Sequence, residues 1–264
     1  MRLARAIAAA GLLVVASIGN VDAADPETPA SPSHTPTWQA EAWYFYRSNP
    51  SDLSQQQRLT LRFYQRFFFA EDWQLTLRED IRGLDTNKTG VDNPTGAWQA
   101  HLGDMFTQAA LKTPEMAPGL RADLGIRVLY PTGDLPPYSK GRYQIGPHFG
   151  LIWDVPNTAG VVVLAPLVRY MQSVGDQPPH STPTSDFQLH PIIAIKPGTW
   201  GITLWREHPW ILDALTNRWF IPLDAMVTHE VVPHLSLGVG VAVGLVNDSP
   251  RYNNIIYGRI AFSF

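Results

Sequence analysis

Apolar and ionic residues alternate one by one along much of this chain, and arginines dominate the ionic positions. In Arg58–Phe69, Leu59, Leu61, Phe63, Phe67 and Phe69 oppose Thr60, Arg62, Tyr64, Arg66 and Phe68. In Trp73–Leu84, Trp73, Leu75, Leu77 and Ile81 oppose Gln74, Thr76, Arg78, Asp80 and Arg82. Around Leu120–Tyr130, Leu120, Ala122, Leu124, Ile126 and Val128 oppose Arg121, Asp123, Gly125 and Arg127. A period of two sends the two sets to opposite faces of a strand. A slip of one residue would turn six arginines onto the apolar face. In lipid that costs about 2–4 kcal/mol each near the midplane, on the order of 10 kcal/mol or more together, so the register is strongly specified.

The spans that read this way number about twelve. They are Trp38–Arg47, Arg58–Phe69, Trp73–Leu84, Trp98–Leu111, Leu120–Tyr130, Arg142–Val155, Val161–Met171, Asp186–Lys196, Thr199–Arg206, Arg218–Glu230, Leu235–Val246 and Tyr252–Phe264. The ninth is the shortest, because Glu207-His208-Pro209-Trp210 has no clear alternation. Connections run alternately long and short, with Lys112 to Gly119 the longest of the short set. Glu207 to Asn217 reads as one of the long loops. Sorting of this kind marks outer-membrane barrels, with short turns on the periplasmic side and long loops outside. A soluble sandwich or lipocalin-like barrel shares the alternation but has no physical reason to sort its loops. The fold class expected is all-β: a transmembrane antiparallel β-barrel of about twelve strands after a cleaved signal peptide.

The ends agree with that reading. Arg2 and Arg5 precede an apolar run from Ala6 to Ile18, and Val21-Asp22-Ala23 has the character of a signal-peptidase site. The expected organisation is a signal peptide over 1–23, a disordered lead rich in Pro, Ser and Thr over 24–37, and a barrel over 38–264. The last strand ends in Phe264, which resembles the terminal signal of bacterial outer-membrane barrels. Past the signal peptide, no run approaches the roughly 20 apolar residues of a spanning helix; Gly160 to Val168 is half that length and contains Pro166. The absence of cysteine removes disulfides, thiolate metal sites and thiol nucleophiles together. A net charge of −3 gives no reason to expect nucleic acid as a partner. The partners expected are the lipid bilayer of the outer membrane and a small-molecule solute.

Charge assigns the faces. Arg62, Arg66, Arg78, Asp80, Arg82, Arg121, Asp123 and Arg127 are expected to line the lumen as candidate selectivity residues, with Asp104 near them. Gln65 and Glu79 fall on the lipid face, through either a rim position or a bulge that shifts the phase. Gly103 beside Asp104 marks a bulge. In Leu235–Val246, Ser236, Gly238, Gly240, Ala242 and Gly244 leave interior room for large neighbours or for a passage. Aromatics near strand ends, among them Trp73, Trp98, Tyr143, Trp153, Trp200 and Trp219, suit interfacial girdles.

Catalysis on lipid would need a Ser–His pair on the outer wall near the outer rim. His148 and His190 fall in the lumen, His229 lies beside the turn at Pro233, and His180-Ser181 sits in a loop. His101 with a loop Ser lacks a third member to orient it. The chain is expected not to be an enzyme and to use no cofactor. No pair of its eight histidines has zinc or haem spacing, and Asp85 to Asp92 lacks the ligand order of a calcium loop, so no metal is expected.

Leu102-Gly103-Asp104-Met105, Tyr130-Pro131-Thr132-Gly133-Asp134 followed by Gly141 and Gln144-Ile145-Gly146-Pro147, and Trp219-Phe220-Ile221-Pro222-Leu223 with Pro233 resemble motifs of one family. It is the outer-membrane transporter family named for the MetA-pathway of phenol degradation, and the resemblance spans roughly Trp98 to Phe264. It implies a barrel passing small, aromatic or hydrophobic molecules, and it carries over no catalytic residue. The function expected is passive uptake of a small solute across the bacterial outer membrane. A non-conducting structural or adhesive barrel, or an outer-membrane lipid hydrolase, is the alternative.

Overall fold

The computed structural model describes residues 37–48, 54–69, 72–89, 93–133, 139–176, 181–249 and 251–264. The expected signal peptide and lead, Ala70-Glu71 of one short turn, Asp134 of the Pro-Thr-Gly-Asp turn and His180 lie outside the described residues.

The strands are β1 (Thr37–Ser48), β2 (Gln55–Phe69), β3 (Trp73–Thr86), β4 (Gln99–Leu102), β5 (Met105–Lys112), β6 (Leu120–Tyr130) and β7 (Tyr143–Asp154). They continue as β8 (Val162–Val174), β9 (Ser185–Ile195), β10 (Trp200–Leu204), β11 (Trp210–Asp213), β12 (Arg218–Val232), β13 (Leu235–Asn247) and β14 (Asn254–Ser263). All pairings are antiparallel, and β1 meets β14, so the sheet closes on itself. β4 and β5 both pair with β3, and β10 and β11 both lie between β9 and β12. The fourteen segments therefore fill twelve wall positions, and the chain is a closed twelve-strand antiparallel β-barrel. Closure leaves no unpaired edge, which is what permits a sheet to stand in lipid.

The wall has the polarity expected from the charges. On β13 the outward residues are bare, Val239 at 61% exposure and Leu245 at 65%, while inward Ala242 is wholly covered. Leu124, Ile126, Ile202, Leu223, Val227 and Ile260 extend this exposed apolar belt round the barrel. Trp98, Tyr143, Trp153, Trp200 and Trp219 are exposed near strand ends, and Trp200 stacks on outward His229 at 4.3 Å between ring centroids. An apolar belt between aromatic girdles is the surface of an outer-membrane barrel.

Of the two explanations for Gln65 and Glu79, the bulge is excluded. The β2–β3 register runs without a break from Gln56↔Thr86 to Phe69↔Trp73. Glu79 stays outward and accepts a 2.7 Å hydrogen bond from the Thr107 hydroxyl. The bulge at Gly103-Asp104 is present: three residues, Gly103 to Met105, oppose two on β3 between the pairs Gly83↔Leu102 and Asp80↔Phe106. Asp104 bonds none of the lumenal arginines among the described residues. Its carboxylate accepts from the backbone N–H groups of Gly133 and Lys140 and so ties down the loop after β6.

The interior room left by the glycines of β13 is taken up by large neighbours. A Cβ on Gly240 would sit 2.2 Å from the Tyr257 ring, and one on Gly244 would sit 3.1 Å from Phe220. Trp43, Phe45, Phe220, Met226, Ala242, Tyr252, Ile255 and Tyr257 form a packed cluster inside this part of the barrel.

The largest departure from expectation is at the ninth strand. Glu207 to Asn217 is not a single outer loop. The chain leaves the wall after β10, bulges inward over Trp205 to Pro209, and rejoins as β11 between β9 and β12. Only Ala214 to Asn217 remains as a turn. Alternation cannot show such a segment, because its residues face the lumen rather than one side of a wall.

Candidate lumenal constriction

The inward bulge begins at Trp205, whose φ of 53° lies in the left-handed region that non-glycine residues seldom adopt. Three bonds hold it there. The Trp205 N–H donates to the Asp224 carbonyl at 3.0 Å, its indole Nε1 donates to the Pro222 carbonyl at 3.0 Å, and His190 Nδ1 lies 3.3 Å from its carbonyl. Asp224 on β12 then gathers the next residues. One carboxylate oxygen accepts from the backbone N–H groups of Glu207 at 3.1 Å and His208 at 3.2 Å. The other accepts from the Tyr257 hydroxyl at 2.6 Å and meets His208 Nδ1 at 3.2 Å. Proline at 209 cannot donate to a ladder, so the chain has little reason to stay in the wall there.

So anchored, Glu207 reaches to β2, five wall positions away from the strand that carries it. Arg62 donates from Nη1 and Nη2 to the two Glu207 oxygens, each at 3.0 Å. The same guanidinium donates from Nε to Asp80 at 3.0 Å, approaches Glu41 at 3.5 Å, and lies 4.8 Å above the Trp43 ring. Bidentate pairing to Glu207 with a further bond from Nε to Asp80 orients the planar fork more strictly than one contact would. Arg78 donates twice to Asp80 at 2.9 Å. Glu41 accepts from Arg259 Nε at 3.1 Å and from Trp43 Nε1 at 2.7 Å. Arg206, beside Glu207, comes within 4.0 Å of Glu41.

Of the residues expected in the lumen, Arg62, Arg78 and Asp80 meet directly in this cluster. Arg82 and Arg127 adjoin it through Phe106, over which the guanidinium carbons of Arg78, Arg82 and Arg127 sit at 4.7, 4.8 and 4.2 Å. Arg127 also donates twice to Gln108, at 3.1 and 2.7 Å. Arg66 joins the cluster at one remove: it donates to Gln39 at 2.7 Å, and Gln39 donates to Glu41. Arg121 and Asp123 lie near the turn end of β6, where Asp123 is opposite Lys112. The residues expected to line the lumen thus form a bonded cluster with outlying members.

Sequence reasoning missed Glu41, Asp224, Arg206, Glu207 and Arg259. Alternation held the signal for three of them: Glu41 shares a face with Trp43 and Phe45, Asp224 with Phe220 and Met226, and Arg259 with Tyr257 and Ala261. For Arg206 and Glu207 it held none.

Between the Arg62–Glu207 pair and the end of the barrel with the long connections lies a cavity of about 160 Å³. Its lining includes Phe45, Arg58, Glu207, Arg251, Tyr252 and Ile255. Above it the outer loops are pinned by Arg251 to Asp186 at 2.9 Å and by Lys140 Nζ to Thr184 at 3.0 Å. Burial, with Arg251 nearby, holds the Lys140 ammonium below the ordinary lysine range.

No family model matches the chain. No curated protein matches it either. Solved structures do. An outer membrane channel from Pseudomonas putida F1 aligns with a TM-score of 0.64 at 12% identity, covering 93% of this chain and 100% of that one. The beta domain of the Bordetella autotransporter BrkA aligns with a TM-score of 0.51 at 10% identity, covering 87% of this chain and 99% of that one. At such identities the likeness is one of fold, that of outer-membrane barrels.

Proposed function

We propose that the protein is an outer-membrane channel for passive diffusion of a small solute, with the inward segment Trp205–Pro209 as its constriction. The observation that carries this is the Arg62–Glu207 clamp. A lumen filled only for stability would gain more from apolar side chains, since a buried ion pair seldom repays its desolvation. Here the contact that crosses the lumen is instead ionic, as in pores that select by charge. Arg62, Arg66, Arg78, Asp80, Arg82, Arg121, Asp123 and Arg127 are assigned to line the path, with Arg62, Arg78 and Asp80 at its waist. The fold it shares with the Pseudomonas putida channel supports the reading. Small aromatic or hydrophobic solutes are the class that the motif resemblance favours. No catalytic role is assigned to any residue.

The second reading is a non-conducting structural barrel, favoured by the bonds that tie the inward segment to both walls. Recording in planar bilayers separates them. Folded wild type should show discrete channels, and Glu207→Ala should enlarge the unitary conductance. No conductance from protein with heat-modifiable mobility, in wild type and Glu207→Ala alike, would leave the structural barrel.

A further inference from the structure

The cavity above the clamp has a charge balance that the clamp does not explain. Glu207, at its floor, spends both carboxylate oxygens on Arg62. His208 is bonded to Asp224. On the cationic side, Arg58 lies 3.9 Å over the Phe45 ring and, among the described residues, pairs with no carboxylate. Its Nε is buried without a hydrogen-bond partner among those residues. Arg251 binds Asp186 through Nη2, but its Nε too is buried and has no partner among the described residues. Donors left unsatisfied inside a protein cost free energy, so two such guanidiniums around one void call for an acceptor.

The rest of the lining is Arg47 and Gln56 with a mostly apolar wall of Phe45, Ile211, Tyr252 and Ile255. A void of about 160 Å³ is close to the roughly 150 Å³ of an engineered cavity that admits benzene. A hydrated inorganic anion would gain nothing from these apolar walls.

We propose that this cavity is a binding site for a small monocarboxylate with a compact apolar body. The carboxylate meets Arg58, with Arg251 beside it, and the body packs against Phe45, Tyr252 and the two isoleucines. Guanidinium forks match carboxylates in shape and charge. The surplus of cations continues below the clamp, where Arg82 and Arg127 stack on Phe106 and no carboxylate bonds either one among the described residues. This deepens the channel reading, on which the role of the site in uptake rests; occupancy is measured separately from conductance.

The test uses full-length protein folded in detergent, with benzoate as probe and benzamide as its neutral counterpart of the same size. Equilibrium dialysis should show benzoate binding at least about tenfold more tightly than benzamide, the factor one charge-assisted hydrogen bond supplies. Arg58→Leu should weaken benzoate by about tenfold or more, and Arg58→Lys by less. Ile211→Phe, which fills the void and keeps every charge, should weaken benzoate as well; it serves if Arg58→Leu fails to fold. Equal binding of benzoate and benzamide, displacement of benzoate by equimolar phosphate, or no binding to folded wild type overturns the proposal. Benzoate binding without conductance sinks the channel reading and leaves the site standing.

Discussion

Arg62 on β2 and Glu207 on the inward segment share two parallel hydrogen bonds of 3.0 Å across the lumen, while the same Arg62 bonds Asp80 on the neighbouring strand at 3.0 Å. One guanidinium thus joins two walls of the barrel. Both partners are largely withdrawn from solvent, with side-chain exposures of 4% and 11%. Screening by salt is therefore weaker than for a surface pair. Arg62→Ala would strip Glu207 of both its hydrogen bonds, while Asp80 keeps Arg78 and Glu41 keeps Arg259, and a cost of about 3–5 kcal/mol is expected. Urea titration of the folded barrel in lipid vesicles measures it. A double-mutant cycle with Glu207→Ala should return a coupling of about 0.5–3 kcal/mol, and strict additivity would mean that the pair contributes nothing.

The outer belt makes a prediction of opposite character. Val241 faces outward near the middle of β13, half-way between the strand ends. If lipid covers that face, Val241→Arg should cost about 2–4 kcal/mol in vesicles, and Leu235→Arg near the turn should cost less, about 0–1 kcal/mol. Equal costs at the two depths would mean that no bilayer surrounds the belt.

Much of the wall was legible because the pleat has a strict period. Arg62, Arg78 and Asp80 could be placed inside from their neighbours alone, since Leu61, Leu77 and Ile81 must then face out. Gly103-Asp104 could be marked as a bulge for the same reason: it breaks the period. What alternation leaves open is where an inward side chain ends up once it is inside. Glu41 and Asp224 lie on predicted strands, yet their roles depend on Arg259, Tyr257 and His208, which the chain brings in from far along the sequence. Trp205–Pro209 was harder still. Its position follows from a left-handed residue and from an aspartate on the next strand, and neither leaves a trace in hydropathy.

The glycines of the inner face give a packing test. Gly240 lies beneath Tyr257, so the methyl of Gly240→Ala would fall 2.2 Å from a ring carbon held between Trp43 and Phe45. Overpacking of this kind costs about 1–3 kcal/mol. Gly258, on the adjacent strand, points outward, and the nearest atom to its added methyl is the Gly238 carbonyl oxygen at 3.8 Å. Gly258→Ala should therefore be close to neutral. Urea midpoints of the two variants decide it, and a Gly240→Ala barrel as stable as wild type would mean that Tyr257 moves freely.

Asp224 offers the sharpest test of the constriction, because it touches no partner across the lumen and acts only on the inward segment and Tyr257. Asp224→Asn keeps the size of the side chain but removes its charge and one of its two acceptor oxygens, so the two backbone N–H groups and the Tyr257 hydroxyl compete for the one that is left. Each lost hydrogen bond to a charged group is worth about 1.5–3 kcal/mol, enough to let Glu207 leave Arg62 for part of the time. The expected readout is current noise. Open channels of Asp224→Asn should flicker between two levels at a fixed voltage, where wild type holds one. If the upper level matches the conductance of Glu207→Ala, the flicker is the inward segment swinging clear. A quiet trace at the wild-type level would show that Asp224 has no part in holding the segment in place.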